Sequence, residues 1–467
     1  MDFSHGVLHT PQSIGAYKGS AVDLDGCSYV RVYWVDLVNV RRCRIVPLAH
    51  FKALLEGSRP GVNIAKVVLG LVYLKMAPGF SPCGEYLYAI DLPSLRPLPF
   101  APGHMAVLGR FEEKEPSLGS NGEQSIQVDM CPRTLLKSII EKLKTATHTE
   151  FLVGFESEFT LLECTDPVKP VSDHQFAAST ALLANSPAAI VMEEIAETVQ
   201  AAGIKLEMTH AEAAPGQFEV VTGPLNPMDA ADALIFTREI IVQVAAKHGL
   251  HATFAPRPFM RSVGSSAHAH ISVHSADSVK TAKSLSPHEE SFLAGLMDHL
   301  PAIAALTLPS PGSYKRVGDG VWSGGTYVCY GTENREAPVR LTNFASPRSR
   351  NFEMRFIDGT ANPHLALTAI FAGGLSGLSS MKKLEMQDCG ARMSAADMIE
   401  SERQALGIIR RMPTTLEKAR ANLNEDSVLQ DFLGKNFVEK YCVLLQSALT
   451  PEDESEAEQL TRLVNFY

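Results

Sequence analysis

The 467-residue chain has no surplus of basic charge: 42 Lys and Arg stand against 52 Asp and Glu, a formal net charge of −10. With no Lys/Arg-rich run either, it offers no basic face for nucleic acid or for an anionic membrane. Long apolar runs are missing. The longest, near Leu365 to Leu378, is interrupted by Gly373, Gly374 and Gly377 and is too short to span a bilayer. Eight cysteines (Cys27, Cys43, Cys83, Cys131, Cys164, Cys329, Cys389, Cys442) never form a C-x-x-C pair, which argues against a zinc cage or a redox dithiol. Spread so thinly, they read as reduced thiols. The opening Met1-Asp2-Phe3-Ser4-His5 lacks the basic and apolar regions of a signal peptide, so a cytoplasmic location is expected. Ordinary nucleotide loops are absent too: there is no G-x-x-x-x-G-K-[ST] and no G-x-G-x-x-G opening a helix.

What is present is a globular balance, 45% hydrophobic and 20% charged, over a length that suits two or three units. Residues 1–20 read as an irregular arm. A β-rich run from Tyr29 to Val35 begins a first unit, placed at 21–110, and the polar stretch Glu112 to Gln127 reads as a long loop leading into a second unit, 111–467. That unit alternates helix and strand. Helices are expected at Pro132–Lys144 and, with Asn226 as cap, at Pro227–Lys247. Strands are expected at 151–162, 205–210, 217–221, 267–274 and 352–357, and the chain turns helical after Asn362-Pro363. The pattern is α+β, with an antiparallel-leaning sheet and a helical tail.

The informative residues are acids inside apolar strands. In Phe155-Glu156-Ser157-Glu158-Phe159 two carboxylates share one strand face. An uncompensated buried charge costs several kcal/mol, so a partner is required. The same device recurs: Glu212 and Glu219 are set across a Pro215-Gly216 turn, and polar pairs two residues apart stand in His268-Ala269-His270-Ile271-Ser272 and in Glu353-Met354-Arg355. One hard-cation site lined by Glu156, Glu158, Glu212, Glu219, Glu353 and His268 accounts for all of them. Mostly oxygen donors suit Mg²⁺ or Mn²⁺, and so many acids imply two or more ions, an arrangement suited to phosphate chemistry. Arg316, Arg335, Arg340 and Arg355, read as lying in β-like or loop segments, could clamp the phosphates of ATP and an acid substrate.

These motifs, in this order, resemble the glutamine synthetase family. The resemblance runs over nearly the whole chain: Gly154 to Phe159, Glu212 to Glu219, Gly264 to Ser272, Asn334-Arg335 to Arg340, and Glu353 to His364. It implies an N-terminal β-grasp domain, a catalytic domain on a curved antiparallel sheet, and a dodecamer-like ring stack of copies whose sites are closed by a neighbour. It also implies that Glu158, Glu212 and Glu219 hold one metal, while Glu156, His268 and Glu353 hold the other. By the same resemblance His270, Ser272, Arg335 and Arg340 serve the nucleotide. Arg316 and Arg355 handle the acid substrate, Gly264, Ser265, Ser266 and Trp322 complete the expected substrate-binding set, and Arg316, Arg335 and Arg355 are catalytic. ATP would activate a glutamate-like carboxylate as an acyl phosphate, which an amine converts to an amide.

Three departures stand out. Trp322 occupies the place of the flap glutamate of ammonia-using members; Ser265-Ser266 replaces the usual Asn-Gly; and the N-terminal Asp-Gly-Ser-Ser is not found, Asp25-Gly26-Cys27-Ser28 reading as a turn. Together they point to an organic amine in place of ammonia. Two alternatives remain open: a relative without catalysis, and an ordinary glutamine synthetase in which Asp319 or Glu333 replaces the flap acid.

Overall fold

The structure, a computed structural model, describes residues 7–12, 24–118, 122–276, 279–448 and 454–467. The β-branched and aromatic strand Tyr29–Val35 pairs antiparallel with Arg41–Pro47 and parallel with His104–Leu118. Glu85–Pro97 and Gly61–Ala65 widen this first sheet, and helix Leu48–Leu55, with Phe51 buried, packs beside its first two strands. The stretch Glu112 to Gln127, expected as a loop, is instead strand: His104–Leu118 runs into it and Gln124–Gln127 folds back onto that strand. Its acids are paired, Glu112 with Arg59 at 2.8 Å and Glu113 with Lys66 at 2.7 Å, so a loop-like composition is a salt-bridged strand. The first sheet therefore continues past residue 110. The expected arm 1–20 lies largely outside the described residues, and Asp25-Gly26 does form a turn.

The second sheet has nine strands and carries the acids. Along its main path the order is Leu206–Ala211, Gln217–Leu225, Thr149–Thr165, Ala269–Ser275, Asn351–Met354, Val339–Thr342 and Tyr330–Thr332. All neighbours are antiparallel except the last two strands. Phe151 on the central strand packs on Phe371 and Phe292, with ring centroids 4.9 and 5.3 Å apart. These belong to helices Pro363–Ser380 and Pro287–Thr307, so odd-numbered residues of the strand face the helices and Glu156 and Glu158 face the other way. Each buried ring contributes roughly 2 kcal/mol. The two helices touch closely: a Cβ on Gly377 would stand 2.0 Å from the carbonyl oxygen of Ser291.

Prolines at helix starts are prominent. Pro132–Thr147, Pro187–Ala201, Pro227–Lys247 and Pro287–Thr307 each begin with one, and Ser186, Asn226 and Ser286 cap the last three with side-chain oxygens. Arg316 departs from its expected β-like or loop setting. It ends a short helix, Pro311–Arg316, whose first turn is set by Pro311 and by Ser310 accepting from the Ser313 amide at 3.2 Å. Helices from Pro363–Ser380 to Glu456–Phe466 form the C-terminal region. No helix among the described residues is long and apolar enough to cross a membrane.

Candidate active site

Strand register assembles the site. His210, Glu219 and Glu158 stand opposite one another across three adjacent strands. On the other side His270, Glu353 and Arg340 form a second row. Directly opposed residues have Cβ atoms about 5 Å apart, which brings side chains of this length into contact.

In the half around Glu156 and Glu353, cationic groups surround each acid. His268 Nδ1 lies 2.9 Å from Glu156, 3.4 Å from Glu353 and 3.9 Å from Glu158. His270 Nε2 lies 2.9 Å from Glu156, with its Nδ1 2.9 Å from Asn351 Oδ1. Glu353, 1% exposed, contacts Arg355 and lies 3.1 Å from Arg340. Burial alone would raise both acids. Instead His270 and His268 hold Glu156 well below the carboxylate range, and Arg355 with the two imidazoles lowers Glu353. Burial works against the His270 cation too, but Glu156 overcomes it and pushes the imidazole up to about 9.

The other half differs. Glu158 accepts from Gln217 Nε2 at 3.0 Å, from the Ser266 amide at 3.0 Å and from the Ser266 hydroxyl. Burial and the charge of Glu158 push Glu212 up to about 7. Glu219 is pushed up to about 8 by burial, with Glu156 and Glu158 repelling it. His210, 3.0 Å from Glu219 and 3.5 Å from Glu212, is raised to about 9, chiefly by its hydrogen bond to Glu219. Crowded carboxylates of this kind fit divalent cations: oxygen donors with an imidazole in each half are a Mg²⁺ or Mn²⁺ set. The donor atoms of Glu156, His270 and Glu353, and likewise of His210, Glu212 and Glu219, lie within 4.8 Å of one another.

On the substrate side, Gly264 has no room for a side chain, since a Cβ would stand 2.3 Å from Arg316 Cγ and 2.4 Å from the Pro256 carbonyl oxygen. Arg316, 3% exposed, donates from Nη2 to the Arg355 carbonyl at 3.2 Å, while its buried Nε has no hydrogen-bond partner and lies 3.9 Å from Asp358. Burial lowers its pKa, and an anionic ligand is what such a guanidinium lacks. Gln217 Nε2 also donates to the Ser265 hydroxyl at 3.0 Å and to the Gly264 carbonyl at 3.1 Å, joining this loop to Glu158.

Trp322 sits on the flap, 65% exposed, with φ of 56°. Arg355 Nη2 donates to its carbonyl at 2.9 Å, and Glu336 accepts from the Trp322 amide and, at 3.0 Å, from the Gly320 amide. The two acids suggested as substitutes are both engaged. Asp319 accepts from the Thr326 amide at 2.7 Å and lies 3.4 Å from Arg411; Glu333 pairs with Arg340 and accepts from the Asn343 amide at 2.8 Å.

The six expected metal ligands thus meet on one sheet face, with His270 among them. Arg340 and Arg355 reach that face through Glu353. Arg335 is exposed, in the loop between Tyr330–Thr332 and Val339–Thr342, and its carbonyl accepts from Arg355 Nε at 3.1 Å. Ser272 lies farther along the strand, 2.8 Å from His274 Nε2; burial and Lys280 lower that imidazole to about 4. Sequence reasoning passed over His210, Gln217, His274 and Glu336. His210 and Gln217 stand two residues before Glu212 and Glu219, so the i, i+2 rule already in use would have found them.

The glutamine synthetase catalytic-domain family matches residues 129–459. The protein fluG of Emericella nidulans is 36% identical over 90% of this chain, and the match spans 46% of that longer relative. The gamma-glutamylpolyamine synthetase GlnA3 of Streptomyces coelicolor is 34% identical over 88% of this chain and 87% of its own. Among solved structures, a GmaS/ADP complex superposes with a TM-score of 0.74 at 26% identity, covering 91% of this chain and 93% of that one. This chain belongs to the glutamine synthetase family, a family of ATP-dependent acid–amine ligases, and carries that family's catalytic domain.

Proposed function

We propose that the protein joins a glutamate-like acid to an organic amine at the expense of ATP. A carboxylate oxygen of the acid attacks the γ-phosphorus of ATP, and the bond to the β–γ bridging oxygen breaks to release ADP. The bound alkylammonium gives one proton to water, its nitrogen then attacks the acyl carbon, the carbon–oxygen bond to phosphate breaks, and a second proton leaves the nitrogen to water. Bound divalent cations, Mg²⁺ or Mn²⁺, would neutralise the phosphate oxygens. Glu156, Glu158, Glu212, Glu219, His268 and Glu353 would hold them. Arg316 would orient the acid through its unspent donor, beside Gly264, Ser265 and Ser266. Arg335, Arg340, His270 and Ser272 would face the nucleotide, and Arg355 would tie the acids to the flap. The working form in this reading is a cytoplasmic ring of copies.

The observation that carries the proposal is the flap. Where ammonia-using members place an acid, this chain presents an exposed indole on a loop pinned by Arg355 and Glu336, with Asp319 and Glu333 already committed. An indole face attracts an alkylammonium through its ring and its apolar area, whereas ammonium needs a carboxylate to strip water and accept a proton. The similarity to a gamma-glutamylpolyamine synthetase supports the same reading.

ADP release with glutamate, scanned over ammonia, alkylamines, ethanolamine and polyamines, tests it. An organic amine should exceed ammonia in kcat/KM by at least about 10-fold, a 1.4 kcal/mol preference, and Trp322→Glu should shrink that ratio. Ammonia turned over as well as the best amine would overturn the acceptor assignment. No ADP release under any condition would overturn the ligase reading itself.

A further inference from the structure

Eight thiols are spread along the chain, and two of them meet. Cys329 stands immediately before the strand Tyr330–Thr332, and Cys389 lies in a segment that folds back against it. The Cys389 amide donates to the Tyr330 carbonyl at 3.1 Å, and both side chains are buried in one small apolar cluster with Ala337, Ala395 and Met398. We propose that Cys329 and Cys389 are a reversible oxidation site, closed to a disulfide by hydrogen peroxide, and that its closing shifts the flap that carries Trp322.

Contact comes first. The Cys329 thiol donates to the Cys389 sulfur, and Gly331 admits that sulfur, since a Cβ there would stand 2.7 Å from it. Reactivity comes second. The hydrogen bond from Cys329 holds the Cys389 thiol below its ordinary pKa, and Cys389 lies between exposed Asp388 and partly exposed Gly390. The same hydrogen bond, with burial, pushes the Cys329 thiol well up. Cys389 is thus the attacking sulfur and Cys329 the thiol that resolves it, the pairing by which a redox-sensing cysteine works where other thiols stay reduced.

The Cys389 thiolate attacks one peroxide oxygen, and the O–O bond breaks to leave a sulfenic acid and hydroxide. The Cys329 thiolate attacks the Cys389 sulfur, and the S–O bond breaks to release a second hydroxide. The two protons lost by the thiols turn both hydroxides to water, and the two electrons given up by the sulfurs reduce one peroxide. A disulfide brings its sulfurs to about 2 Å, well inside non-bonded contact, so closing it draws Cys389 towards Cys329. Asn334 carries that movement. Its Nδ2 lies 3.5 Å from Cys389 Sγ and donates to the carbonyls of Gly390 at 2.6 Å and Met393 at 3.0 Å, while its Oδ1 accepts from the Glu336 amide at 2.9 Å. The Glu336 carboxylate in turn holds the amides of Gly320 and Trp322.

The test treats the whole chain with hydrogen peroxide and maps disulfides by mass spectrometry of unreduced digests. In parallel, acrylamide quenching of fluorescence reads Trp322, because the other indole, Trp34, is buried. The expected result is one peptide pair joined through Cys329 and Cys389, a shift in the quenching constant, and return of both to the starting state with dithiothreitol. Cys329→Ser should lose both changes, which separates the disulfide from direct oxidation of the indole. Peroxide that leaves the two thiols unjoined, or joins either to another cysteine, overturns the site. A Cys329–Cys389 bond without a quenching shift, or a shift that survives in Cys329→Ser, overturns the link to the flap. Should Cys329→Ser lack a thermal transition, Cys389→Ser takes its place, and the digest of the native chain decides the site without either variant. Both readouts are taken without turnover: a chain that turns over no amine can still show them, and an active ligase can fail them.

Discussion

On one side of the central strand every acid has a protein cation beside it; on the other, two of three acids share one imidazole. Glu353 lies against Arg355, Arg340 and His268, and Glu156 against His268 and His270. Glu158 takes its hydrogen bonds from neutral donors, with His268 no nearer than 3.9 Å, and Glu212 and Glu219 have His210 between them. The protonation tendencies follow, with Glu156 and Glu353 lowered and Glu212 and Glu219 raised. The first half is electrostatically closed by the chain itself. The second depends on added positive charge, which makes it the half whose stability reports cation binding.

The strongest test removes the closure. Arg355→Met strips Glu353 of its buried partner and makes the two halves alike, and the chain should lose about 3–5 kcal/mol. Urea unfolding measures it; a loss below about 1 kcal/mol would show that Arg340 and His268 suffice.

Next comes pH, for protein freed of metal by a chelator. Glu212, Glu219 and His210 all have folded pKa values above their ordinary ones, about 7, about 8 and about 9. Their contributions to stability are therefore intact in acid and are lost as pH rises through those values. Between pH 5 and 9 the unfolding free energy should fall by several kcal/mol from the two acids, about 1.4 kcal/mol for each pH unit over which one of them stays protonated in the folded chain alone. Glu156 and Glu353, being lowered, act oppositely, and their contribution disappears only in strong acid. A stability rising from pH 5 to 9 would contradict the contrast between the halves.

The smallest effect is restoration. Mg²⁺ at about 100 times its dissociation constant should add about 2.7 kcal/mol near neutral pH. It should also flatten the pH slope, because a bound cation keeps Glu212 and Glu219 ionised. Thermal unfolding with Mg²⁺ and with chelator gives both numbers.

Much of this was legible beforehand. A strand's side chains repeat every two residues, so Glu156 and Glu158, or His268 and His270, announce a shared face without any tertiary knowledge. Proline at a helix start is equally local, and the helices at Pro132 and Pro227 begin where expected. What stayed hidden depends on partners distant in the chain. The strand through Glu112 looked like loop because its compensating Arg59 and Lys66 come from elsewhere in the first unit. Arg316 sat in a helix because Ser310 and Pro311 set its first turn, a capping signal outweighed by the short, polar segment around it. The opposite protonation tendencies of the two halves could not be read at all. They follow from which strands are neighbours, and the order of strands in the sheet is not the order in the chain.

The rows that hold His210 against Glu219 and Glu158, and His270 against Glu353 and Arg340, have a consequence for how the molecule comes together. Slipping Gln217–Leu225 by one residue would turn Glu219 toward the helices and bring Phe218 or Val220 to the acids' side. In a misaligned sheet the site is incomplete: Glu156 and Glu158 still share their own strand face, but the acids of the neighbouring strands are missing from it. Under the proposed function, cation capture is therefore a check on assembly. It rewards the one alignment in which six strands, drawn from residues 149 to 354, agree on a common face.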